Sequence, residues 1–69
     1  MKTQPTTFNV SVDVSGTVHH ATYSVSSKVV VVQSPYGSRS TQVGGLSADA
    51  VARVLLREIV EGAKARGEL

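Results

Sequence analysis

His19 and His20 are the side chains best suited to acid–base work or metal binding, and their adjacency works against both. On a strand, consecutive side chains point to opposite faces, so this pair cannot converge on one ion or one substrate. His20 can lie diagonally from Asp13 across a hairpin, where a carboxylate would orient an imidazole as a general base. No nucleophile stands near them in sequence, so a structural cross-strand contact is the expected role. His19 is expected at the rim of the core. The serines and threonines fit strands and turns, since a hydroxyl without a positioned base is a poor nucleophile.

Gly44-Gly45 leads into Leu46 and lacks the Gly-x-x-x-x-Gly-Lys-Ser/Thr spacing that cradles phosphate. A helix starting after Ser47 would still offer N–H groups to an anion, although Ser47 itself satisfies part of that demand. Arg53, Arg57 and Lys64 fall within a narrow helical sector, and with Arg39 they make the candidate nucleic-acid contact. Glu58 and Glu61 border that sector, and Arg57 and Glu61 at i,i+4 are placed to neutralise each other in part. Seven Lys/Arg against five Asp/Glu leave a formal charge of +2, too small an excess to imply nucleic acid by itself. No catalytic, cofactor or metal site can be assembled from these residues, and an enzyme is not expected.

The element that must position everything else is the C-terminal segment, where apolar and charged residues alternate with a helical period. Ser47 is a suitable N-cap, Asp49 suits the positive end of the helix dipole, and Leu46 with Val51 could form a hydrophobic staple. Val51, Ala52, Leu55, Leu56, Ile59, Val60 and Ala63 share one broad arc. Gly67 is the expected stop, although Gly62 could end the regular part sooner.

Ahead of the helix, Thr7 to Val14 alternates polar and apolar without a break, and Ser15-Gly16 signals a tight turn. Pairing across it sets Val14 against Thr17, Val12 against His19, Val10 against Ala21 and Phe8 against Tyr23. Ser26-Ser27 reads as the next reversal, with Val25 opposite Lys28 and Val30 and Val32 facing the helix. Ser34-Pro35-Tyr36-Gly37 reads as a three-residue hairpin loop with Gly37 left-handed, which places Val43 opposite Val29 and Thr41 opposite Val31. Val29, Val31, Thr41 and Val43 would then form an apolar patch on the helix-free face. Ser38 to Gln42 is a polar edge strand. The fold expected is α+β: an antiparallel meander of three to four strands followed by one helix packed on one sheet face.

A Tyr-containing second strand, a valine-rich third, Ser-Pro-Tyr-Gly-Ser-Arg-Ser-Thr-Gln-Val-Gly-Gly and an Ala-Arg-Val-Leu-Leu-Arg-Glu helix together resemble a set of short uncharacterised bacterial proteins. The resemblance spans roughly residues 8 to 61 and implies the fold, with no activity attached. The layout is also similar to sheet-reading DNA-binding domains such as the arm-binding domains of integrases. Those would imply Arg and Lys on the outer face, whereas Thr, Asn, Ser, Val and one Asp stand there. The 69 residues make one domain, with a loose tail expected over residues 1–5 and fraying over 66–69. So short a chain has a thin core, and without cysteine it has no disulfide to strengthen it. A homodimer formed through the valine patch is therefore the expected partner arrangement, with another protein as an alternative. No apolar run is long enough to span a bilayer, and a soluble, cytoplasmic protein is expected.

Overall fold

The computed structural model describes residues 7–68. They form β1 (Thr7–Val14), β2 (Thr17–Ser26), β3 (Val29–Ser34), β4 (Gly37–Gln42) and α1 (Ala48–Ala65). The strands make one antiparallel sheet in the order β1-β2-β3-β4, and α1 packs on one of its faces. This is the expected α+β meander with its helical roof.

The first hairpin has the expected register, from Val14 opposite Thr17 to Phe8 opposite Tyr23. Ser15 and Gly16 both take positive φ, 54° and 83°, the conformation that a two-residue turn needs to follow strand twist. Asp13 Oδ1 accepts the Gly16 N–H at 3.1 Å and closes the turn.

The second reversal sits one residue later than expected. Ser26 stays in β2, and Ser27 and Lys28 form the turn with φ of 51° and 64°. Val25 therefore faces Val30 in place of Lys28. That is a slip of two residues, and strand side chains repeat every two, so Val30 and Val32 still face the helix. Both are fully buried.

The third hairpin slips by a single residue, which has the opposite consequence. Ser34 Oγ accepts the Tyr36 N–H at 3.2 Å and donates to the Gly37 carbonyl at 2.9 Å, so Pro35-Tyr36 closes as a two-residue loop. Gly37 joins β4 opposite Ser34 with φ 138°, a conformation that only glycine adopts readily. Val29 now faces Gln42, and Val31 faces Ser40. Thr41 and Val43 pass to the helix side, where Thr41 opposes Val30 and Val43 packs half-buried against the core. The expected four-residue patch on the free face is thereby divided.

The helix begins and ends as its residues dictate. Ser47 Oγ accepts the Ala50 N–H at 3.4 Å and donates to Asp49 Oδ1 at 3.1 Å. Leu46 stays 62% exposed, so the expected staple does not bury it. Gly62 does not interrupt the helix. At the far end, Glu68 N–H bonds the Ala63 carbonyl and Gly67 N–H bonds the Lys64 carbonyl, with Gly67 at φ 78°. This pairing satisfies carbonyls that the last turn would leave open, so residues 66–68 form a closed cap where fraying was expected. Arg66, hydrogen-bonded to Glu68 at 2.8 Å, holds that carboxyl below the usual carboxylate range. Leu69 and the expected tail over residues 1–5 lie outside the described residues.

The core is a single layer between α1 and the sheet. Leu56, Val60, Ala52 and Ala63 are fully buried against Val10, Val12, Ala21, Tyr23, Val30 and Val32. Each buried branched side chain contributes roughly 1.5–3 kcal/mol. No helix among the described residues is long and apolar enough to cross a membrane.

Two substitutions test this packing and turn geometry. Leu56→Ala should cost about 2–5 kcal/mol, enough to leave so small a domain mostly unfolded in a urea titration. Ser27→Asn with Lys28→Gly should raise stability by about 1 kcal/mol, because both positions hold φ > 0 without a residue suited to it.

Candidate interaction surface

The residues with chemical potential are dispersed. His19 is half-buried on the helix side, its ring 5.9 Å from that of Tyr36 in an edge-to-face contact. His20 is exposed on the opposite face, across from Ser11. Among the described residues no hydrogen bond joins His20 to Asp13, whose carboxylate serves the β1–β2 turn.

The four candidate cations do not gather into one patch. Arg39 lies on the helix side of β4 and donates to Glu58 at 2.6 Å, tying the otherwise polar β4 to the helix. Arg53 donates to Asp49 at 2.8 Å. Lys64 donates to Ser15 Oγ at 2.6 Å and borders a separate cleft beside Val14, Thr17, His19 and Tyr36. Arg57 alone of the four makes no ion pair or hydrogen bond among the described residues, and the expected Arg57–Glu61 bridge is absent from that set. The exposed bridges are weak individually, each worth at most about 1 kcal/mol, but they compensate locally the charge that a phosphate backbone would need.

Two surfaces remain uncovered. The outer sheet face carries Asn9, Ser11, Asp13, His20, Thr22, Ser24, Gln33, Ser40 and Gln42, with Val29 and Val31 half-buried among them and Val18 53% exposed. It is largely a hydroxyl and amide surface with a small aliphatic island. The second surface is the free edge of β1, where residues 9–13 meet Asp49, Arg53 and Arg57 of α1 across an open depression of about 540 Å³. Sequence reasoning identified β4 as an edge and overlooked β1. The available signal was topological, since in a meander the first strand is an edge as surely as the last.

Phe8 and Val25 add apolar exposure on the helix side, 45% and 37%, near the helix N-terminus. Phe8 stacks on Tyr23 with ring centroids 5.3 Å apart. No group of three or more metal-ligating side chains is present among the described residues.

The chain matches no protein-family model, and no curated protein or solved structure is significantly similar to it.

The two histidines should separate in a stability scan. His19→Ala should cost about 1 kcal/mol through its lost packing on Tyr36, while His20→Ala should stay within about 0.5 kcal/mol of the parent, as an exposed strand position does. Thermal unfolding of both variants checks the difference.

Proposed function

We propose that this protein is a small non-enzymatic interaction module that works as a homodimer. The observation that carries the reading is β1: eight regular residues at a sheet edge, free of proline, lysine and glycine, with Asp13 the one charge. A row of unpaired backbone groups with none of the usual guards is a ready template for another strand. The thin single-layer core adds motive, because association offers a chain of this size burial that it cannot achieve alone. Val29 and Val31 on the outer face offer a second, smaller apolar contact.

Asp13, Asp49, Glu58 and Lys64, the groups that acid–base chemistry would draw on, already satisfy a turn, a cap, a bridge and a loop hydroxyl. That supports binding over catalysis. The alternative of nucleic-acid binding through Arg39, Arg53, Arg57 and Lys64 draws less support, since three of these are engaged within the chain and they line separate depressions. A cytoplasmic setting belongs to the same proposal, since a cysteine-free chain needs no oxidising compartment.

Sedimentation equilibrium of the wild-type chain should give a dimer mass in the high-micromolar range. A monomer mass throughout that range would overturn the proposal.

A further inference from the structure

We infer that a second copy of this chain pairs with β1 along its free edge, antiparallel about a twofold axis at Ser11, joining two four-stranded sheets into one of eight. The inference rests on the dimeric reading above and names its interface.

The direction of the backbone groups follows from the hairpin. A two-residue loop closes on a hydrogen-bonded pair, here Val14 and Thr17, so along β1 the residues bonded to β2 alternate as Val14, Val12 and Val10. The N–H and C=O groups of Asn9, Ser11 and Asp13 therefore point away from the sheet, toward the open edge. Those residues span the same stretch that meets the helix rim in the depression.

Ser11 is the centre of that stretch, and a twofold axis there gives a matched register. Each Ser11 N–H donates to the partner's Ser11 carbonyl. On the outer face, Asn9 lies opposite Asp13 of the partner subunit, an amide donor facing a carboxylate with one oxygen still free of the Gly16 bond. On the helix side, Val10 meets Val12 of the partner subunit, and the half-exposed Phe8 meets Val14 of the partner subunit, itself only half-buried.

Charge on the helix rim points to the same occupant. Asp49 and Arg57 lie eight residues apart, about 12 Å along the axis, on the rim that borders the depression. A twofold axis runs this rim antiparallel past its copy, so the Asp49 end of one helix faces the Arg57 end of the other. Arg57 makes no ion pair within its own chain among the described residues, and this arrangement supplies one. The rim is thus complementary to itself, which is what an isologous interface requires.

Analytical ultracentrifugation of variants tests the interface. Ser11→Pro removes an N–H that β2 does not use, so it should yield a monomer with unchanged circular dichroism at concentrations where wild type is dimeric. Val31→Asp, on the outer face, should remain a dimer, and Arg57→Glu should weaken association by about tenfold, the scale of two exposed bridges lost. Because proline could disturb the strand itself, Ser11→Cys gives an independent reading. Two Cα atoms about 5.5 Å apart across a hydrogen-bonded pair lie within disulfide reach, so mild oxidation should give a covalent dimer, while Gln33→Cys should not. A folded Ser11→Pro dimer, failure of Ser11→Cys to cross-link, or a monomeric Val31→Asp would overturn the β1 interface while leaving the dimer standing. A wild-type chain monomeric at every concentration would remove both.

Discussion

One face of one sheet buried under one helix is the constraint from which the rest of the structure follows. The apolar arc of α1 needs a matching surface, and alternation along the strands supplies it by turning Val10, Val12, Ala21, Tyr23, Val30 and Val32 to the same side. The turns serve this contact. A one-residue error in any hairpin would carry a whole strand's inward set to the wrong face, and burial of Val30 and Val32 therefore selects the β2–β3 register as firmly as the turn residues do.

A single roof leaves a second face and two edges in solvent, and the chain treats these differently. The second face is made mostly of hydroxyl and amide side chains. The β4 edge is short, wholly exposed and without an aliphatic side chain, and Arg39 reaches from it over the core to Glu58. β1 has no such treatment. Its alternation continues to the strand's end, the helix rim beside it carries an acid and two bases, and nothing blocks its outward backbone groups. A sheet edge tolerated in that state is consistent with an edge in use, which is why the functional reading rests on topology and backbone direction more than on any reactive side chain.

Much of this architecture was legible in the sequence because it is written in periodicity. The unbroken alternation of β1, the Ser15-Gly16 turn, the Ser47 cap and the apolar arc of α1 each depend on neighbours within a few residues. The β2–β3 turn was less legible, because Ser27 and Lys28 hold positive φ without the glycine or asparagine that advertises it. The β3–β4 register was missed for a different reason. The Ser34 hydroxyl closes a two-residue loop that Pro35 and Gly37 alone did not reveal, and the slip moved Thr41 and Val43 off the outer face. As for the candidate surface, Arg53 and Arg57 could be placed on a common rim from helical spacing, but their meeting with residues 9–13 is a tertiary fact. The partners taken by Arg39 and Lys64 across 19 and 49 residues of chain are likewise invisible to local pattern.

Amide hydrogen exchange along β1, followed as a function of protein concentration, tests the open edge most directly. The Val10 and Val12 amides, bonded to β2, should be protected at every concentration, whereas Asn9, Ser11 and Asp13 should exchange freely when dilute and slow as the partner strand docks. Protection of Ser11 that ignores concentration, or fast exchange at Val10 and Val12 beside a protected Ser11, would contradict it.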